Sequence, residues 1–331
     1  MNHEESISSA DYYHEYHGHL NKHNEVVHTY MQAEKERGRI NGIVYLAGDS
    51  SLDNKFWFKQ SAPAVNGYEH VLDPPVSIQD ISYWLNKLES QRQQQQQQHF
   101  AVINCAVEES TVGARARGAL LPQDEFIRDH ITQDDVLVVS VGGNDIALKP
   151  SPCTILNMLT LVKCIPTSCI ELGCGTSCPV DEYCMGCSTS CLSNFLACPG
   201  GMGYFIHLFK TRIEAYIKNM VGSSKVRKVL VCMIYYPDEA SDGSWADETL
   251  AALGYNNDPA KLQLVIRKIF TLATMQIHIT GVQVVGVPLF VPLDGKDTTL
   301  YSQRVEPSAV GGEKMAAFIS SAIHDEGAGA G

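Results

Sequence analysis

Residues 40–54 read INGIVYLAGDSSLDN, and the fold turns on how this stretch is parsed. From Ile40 to Ala47 the run is rich in β-branched and apolar residues and stops at Gly48, the mark of a short strand. It is nearly all apolar, so both of its faces must be covered by protein, as happens to strands inside a parallel sheet. Working outward, the same kind of run recurs at residues 100–105, 135–141, 228–235 and 282–287. Helical patterns lie between and after these runs, at residues 77–88, 204–220, 259–279 and 307–323. The second of them has an apolar face made by Phe205, Leu208, Phe209, Ile213, Tyr216 and Ile217, and the third carries Pro259 near its first turn, where the missing N–H costs least. Strands alternating with helices predict an α/β domain.

In a parallel sheet the ligand sits beyond the carboxyl ends of the strands. The residues just past each strand therefore carry the most information about chemistry. After the first strand comes Gly48-Asp49-Ser50-Ser51, and after the second Asn104-Cys105 leading to Glu108-Glu109-Ser110-Thr111. After the third comes Gly142-Gly143-Asn144-Asp145, and beyond the fifth Arg304-Val305-Glu306-Pro307-Ser308 leads into the last helix. All four segments are expected on one edge of the sheet.

Gly-Asp-Ser after the first strand and Gly-Gly-Asn-Asp after the third resemble two signature blocks of the SGNH (GDSL-type) hydrolases, and the stretch 307–316, Pro-Ser-x-x-Gly-Gly-x-Lys-Met-Ala, fits the block that opens their last helix. The resemblance implies a three-layer α/β/α sandwich around a five-stranded parallel sheet of flavodoxin-like order 2-1-3-4-5. It also implies acyl transfer from a small ester to water, with no cofactor needed for catalysis. Ser50 takes the place of the nucleophile. The oxyanion would be held by the backbone N–H of Ser50, a backbone N–H of the second block and the side chain of Asn144; each such donor can contribute roughly 3 kcal/mol to the transition state.

Two blocks depart from that pattern. Glu109 stands where the second block has glycine, so a side chain occupies a place where none is expected. In the last block the family's Asp-x-x-His reads Gln303-Arg304-Val305-Glu306, so neither the histidine base nor its aspartate is present. A serine hydroxyl needs a base at neutral pH. In one reading Glu306 is that base, its proton affinity raised by burial and by carboxylate neighbours such as Glu109 and Asp49. In a second, a histidine enters from elsewhere; His207 is the best placed, while His278 falls on the apolar periodicity of the long helix. In a third, the scaffold has lost its chemistry and serves as a binding or assembly subunit with a protein partner. The plain alternatives are that Ser50 merely caps the helix that follows and Asn144 is a left-handed turn residue.

Composition narrows the rest. The formal net charge of -12 argues against a phosphate-backbone partner, hence against nucleic acid. No run approaches the ~20 apolar residues of a membrane span, and the polar start Met1-Asn2-His3-Glu4-Glu5 offers no export signal, so an intracellular, cytoplasmic chain is expected. Nine of the eleven cysteines fall between Cys153 and Cys198. There Cys184-x-x-Cys187, with Cys174 and Cys178, has spacings that a structural zinc site can use; disulfides and reduced thiols remain equal alternatives. Cys105 and Cys232 lie in strands and read as core residues. His14, His17, His19 and His23 read as a solvated helix face. The expected organisation is an N-terminal helical extension over 1–39, the hydrolase-like domain over 40–324 with its cysteine-rich insertion at 153–198, and a tail at 325–331.

Overall fold

A computed structural model of the chain describes residues 6–173, 201–222, 226–241 and 243–325. The apolar runs form one sheet of five strands, β1 (Ile43–Gly48), β2 (Ala101–Asn104), β3 (Val136–Ser140), β4 (Lys228–Met233) and β5 (Gln283–Pro288). Every neighbouring pair is parallel, and the spatial order is β2-β1-β3-β4-β5, the order 2-1-3-4-5 that the resemblance implied.

Because side chains alternate along a strand, β1 feeds two cores at once. Ile43, Tyr45 and Ala47 enter one, Val44 and Leu46 the other, and all five are fully buried. The first core is closed by α1 (Asn21–Glu36), α3 (Pro122–His130), α7 (Ile213–Val221) and α9 (Pro259–Leu272). The second is closed by α2 (Ile81–Gln94) and α10 (Ala309–His324), which also pack on each other. The three-layer α/β/α sandwich results from that partition.

Helix starts are set by caps. Asp80 accepts the Tyr83 N–H at 2.7 Å to begin α2, and Ser308 accepts the Gly311 N–H at 3.2 Å to begin α10. A side chain at position 311 would put its Cβ 2.1 Å from the Leu300 carbonyl oxygen, so the first turn of α10 lies directly on that backbone. This is why Pro-Ser-x-x-Gly-Gly opens a helix rather than ending one.

Several boundaries differ from the sequence reading. Residues 76–78 form an extended pair with Ser61–Pro63, which delays α2 to Ile81. The helix expected over 259–279 ends at Leu272, where Ala273 (φ -125°, ψ -71°) breaks the run and is buried in the first core. His278 is consequently an exposed coil residue. The helix expected over 204–220 is α6 (Met202–Ile206) and α7, joined by a π-helical segment, His207–Arg212. His19 and His23 are buried, not solvated: His19 stacks on Tyr12 with ring centroids 4.1 Å apart and bonds the Tyr12 carbonyl through Nδ1 at 2.8 Å.

Candidate active site

The end of β1 approaches β3 so closely that only glycine fits. Gly48 has φ +130°, and a Cβ there would lie 1.7 Å from the Ser140 carbonyl oxygen. Asp49 then fixes the turn. Its Oδ1 accepts the Ser51 N–H (3.1 Å) and hydroxyl (2.7 Å), and its Oδ2 accepts the Gly142 N–H (3.1 Å), tying the first block to the third. Ser50 sits between these anchors, 7% exposed, with a hydroxyl that has no hydrogen-bond partner among the described residues. It caps nothing.

The second block is held by a buried cation. Arg115 bonds Asp124 through Nε (2.8 Å), Ser110 Oγ through Nη1 (2.9 Å) and the Gly48 carbonyl through Nη2 (3.2 Å), with its guanidinium over the Tyr216 ring. Ser110 in turn donates to the Gly48 carbonyl at 2.8 Å and accepts the Asn144 Nδ2–H on its own carbonyl at 3.1 Å. Asn144 belongs to the short helix α4 (Gly143–Ala147), and the left-handed residue of this turn is Gly142. One N–H of its amide is used by Ser110, which leaves the other for a ligand. The backbone N–H groups of Ser50 and Glu109 also lack acceptors among the described residues. Three donors are thus unused at one edge of the sheet.

Glu109 adopts φ +59°, the left-handed conformation that glycine takes most easily. Its side chain does not enter the site. It pairs with Lys149 Nζ at 3.2 Å and accepts from Tyr16 Oη at 3.3 Å. The carboxyl beside the site is that of Glu108. It is 3% exposed, Trp57 Nε1 donates to its Oε1 at 3.4 Å, and its Oε2 has no partner among the described residues. Burial, with the charges of Asp53 and Asp49 nearby, pushes its pKa up to about 8. Asp49, buried as well, is pushed up to about 6.

Glu306 is delivered by a two-stranded hairpin, β6 (Tyr301–Gln303) and β7 (Glu306–Pro307), in which it pairs with Gln303. The hairpin is nailed down by Arg304, fully buried, which bonds Asp247 (3.0 Å), Asn256 (2.9 Å) and the Asp238 carbonyl (3.1 Å). Glu306 itself is 4% exposed and its Oε2 has no hydrogen-bond partner among the described residues. Burial first, then the nearby carboxyls of Glu108 and Asp49, hold its pKa well above the usual carboxylate range.

Ser50, Asn144, Asp49 and Glu306 line one cavity of about 120 Å³. The segments expected from the sequence therefore do meet, with one exchange: of the two adjacent glutamates, Glu108 is the neighbour of Glu306 and Glu109 is turned toward Lys149. No described histidine lines the cavity; His207 bonds Arg212 Nε at 3.2 Å. Sequence reasoning also missed residues 16–18. Gly18 N–H and Glu108 N–H both donate to Asp53 Oδ2 at 2.9 Å, and Asp53 Oδ1 pairs with the buried Lys55 at 2.5 Å. Cys105 and Cys232 are free and buried, whereas Cys153 and Cys169 are disulfide-bonded. The zinc candidates Cys174, Cys178, Cys184 and Cys187 lie outside the described residues.

No family model matches the chain, and no curated protein matches its sequence. Among solved structures it is similar to an extracellular lipase from Streptomyces rimosus, 12% identical over 85% of this chain and 99% of the other, with a TM-score of 0.42. It is also similar to Axe2, an acetylxylan esterase from Geobacillus stearothermophilus, 12% identical over 86% and 95% of the two chains, with a TM-score of 0.44. Likeness at that level carries no argument about chemistry, which has to come from the residues themselves.

Proposed function

We propose that this chain is a serine ester hydrolase in which a buried glutamate replaces the usual histidine base. One observation carries the reading: Ser50 and the unpartnered carboxyl of Glu306 border the same cavity as Asn144, whose amide keeps one donor unused. In the proposed reaction the Ser50 oxygen attacks the ester carbonyl as its proton passes to the Glu306 carboxylate. The oxyanion is met by the N–H groups of Ser50 and Glu109 and by Asn144 Nδ2. Glu306 then returns the proton to the departing alkoxide, leaving an acyl-serine. Water repeats the sequence and releases the acid.

A carboxylate of ordinary pKa, ~4.3, is too weak for this task, and the ideal base titrates near the working pH. The buried cluster raises Glu306 toward that range. The price is a largely protonated base at low pH, so turnover should climb as pH rises through the Glu306 pKa.

The test is labelling by a fluorophosphonate together with hydrolysis of p-nitrophenyl butyrate. Ser50→Ala should abolish both, and Glu306→Gln should lower kcat/KM by about 10²-fold or more while leaving the fold intact. Unchanged turnover in Glu306→Gln would remove Glu306 as the base. A folded chain that neither labels nor hydrolyses would instead favour a non-catalytic binding unit on the same scaffold.

A further inference from the structure

We infer that the acyl group this site takes is compact and apolar, of about four to six carbons; this rests on the esterase reading above. Away from the polar rim made by Asp49, Ser50, Asn144 and Glu306, the cavity wall is mostly hydrocarbon. Met158 and Leu161 come from the end of α5 (Pro152–Leu159) and just beyond it, Leu250 and Leu253 from around α8 (Asp247–Ala252), and Val265 and Ile266 from α9. Of the few polar groups in that wall, the Tyr235 hydroxyl is already committed to the Val305 carbonyl at 2.6 Å. Among the described residues the wall carries no charge of its own and too few donors to pair the hydroxyls of a sugar, so polar acyl or carbohydrate groups would be buried unpaired there. The volume, about 120 Å³, is somewhat below that of the roughly 150 Å³ apolar cavity that accepts a six-carbon ring. An acetyl group would leave most of it empty, and a long fatty chain would extend beyond it.

A p-nitrophenyl ester series from acetate to dodecanoate, hydrolysed by the full chain, tests this. Each buried methylene should raise kcat/KM about fourfold, equivalent to ~0.8 kcal/mol, up to the limit of the cavity. The optimum is expected at butyrate to hexanoate, with Leu250→Trp shifting it to acetate, read as a fall in the hexanoate-to-acetate ratio of kcat/KM while thermal unfolding stays cooperative. Acetate preferred by the unmodified chain, or an optimum indifferent to Leu250→Trp, would overturn the inference. Binding of ethyl hexanoate and ethyl acetate to Ser50→Ala, followed by NMR, separates the two readings. Preferential binding of hexanoate by Ser50→Ala, with no ester of the series hydrolysed by the unmodified chain, keeps the cavity and sinks the esterase; equal or absent binding sinks the cavity.

A second, independent observation lies on the other side of the first core, between α1 and α3. The structure assigns Glu25, His28 and His130 as a site for a divalent metal of zinc's character. One donor atom from each lies within 4.8 Å of the other two. Glu25 and His28 are three apart on α1 and so share a face. His130 Nδ1 lies 2.8 Å from the Phe126 carbonyl, which can only accept, so Nδ1 carries the hydrogen and Nε2 the lone pair. That lone pair faces the Glu25 carboxylate oxygen at 3.3 Å, with the His28 ring 4.3 Å from the His130 ring. A cation held between the two would satisfy both acceptors at once. A backbone-oriented imidazole with two further nitrogen and oxygen donors is a set that zinc accepts, leaving a fourth position for water.

Titration with Co²⁺, read by visible absorption, distinguishes this site from any thiolate site. The expected result is one equivalent bound with d–d bands and no sulfur charge-transfer band, displaced by Zn²⁺. Double substitution His28→Gln and His130→Gln should weaken that binding at least tenfold while thermal unfolding stays cooperative. Absence of saturable nitrogen–oxygen binding, or binding unmoved by the double substitution, would overturn the assignment.

Discussion

Two neighbouring glutamates illustrate how much one backbone angle decides. Glu109 lies at φ +59° and sends its carboxylate to Lys149, while Glu108 keeps its own in the buried cluster. Replacing Glu109 with glycine relieves a left-handed side chain but loosens the unfolded chain, and the two effects nearly offset. Glu109→Gly is therefore expected to change stability by less than about 1 kcal/mol and kcat/KM by no more than a few-fold, as measured by thermal unfolding and ester hydrolysis. Asn144→Ala should behave differently. It removes a proposed oxyanion donor, and a loss of roughly 10²-fold in kcat with little change in KM is expected. That Ser50, Asn144 and Glu306 come together at one cavity was legible because each stands in a motif just beyond a strand or before a helix. Which of Glu108 and Glu109 faces the site was not, since two identical residues in a row carry no record of the φ that separates them.

At the level of elements, the site depends on two anchors that have no motif. The β6–β7 hairpin is fixed by Arg304 against Asp247, Asn256 and the 238–239 backbone, and residues 16–18 are fixed by Asp53 and Lys55 against the second block. Asp53→Asn would leave the Lys55 ammonium, 1% exposed, without its counter-charge. A cost of about 3–5 kcal/mol is expected, visible in urea unfolding, because a buried charge that loses its partner is far more costly than the intact pair is favourable. Strand positions were readable from apolar runs to within a few residues, since a parallel sheet demands apolar side chains on both faces. Helix ends were less so: α9 stops at Leu272 although the apolar periodicity continues, because the chain must turn at Ala273 and Thr274 to enter β5. The role of residues 16–18 was invisible for a similar reason, as it rests on bonds from Tyr16, His17 and Gly18 to acceptors distant in sequence.

For the molecule as a whole, the carboxyl cluster sets the response to pH. Asp49 and Glu108 are raised to about 6 and about 8, above ordinary carboxylate values near ~4. The folded chain therefore holds protons that the unfolded chain would surrender. That part of the stability is complete below pH ~4 and is lost as pH climbs through 6 and then 8, at a slope of about 1.4 kcal/mol per pH unit for each group in its window. Urea midpoints measured from pH 5 to pH 9 should fall accordingly, and Glu108→Gln should flatten the upper part of the curve. A midpoint that rises over this range would show these groups to be ionised in the native state.

The orphan oxygen of Glu108 reaches further than the reaction. A formal count gives the chain a net charge of -12 at pH 7, yet it counts this carboxyl, whose pKa is pushed up to about 8, as an anion. The native molecule should migrate in an electric field as a less acidic particle than its composition implies. Denaturing it at neutral pH must then acidify the medium, so the heat absorbed will depend on the ionisation enthalpy of the buffer, with phosphate and Tris giving different values for the same unfolding.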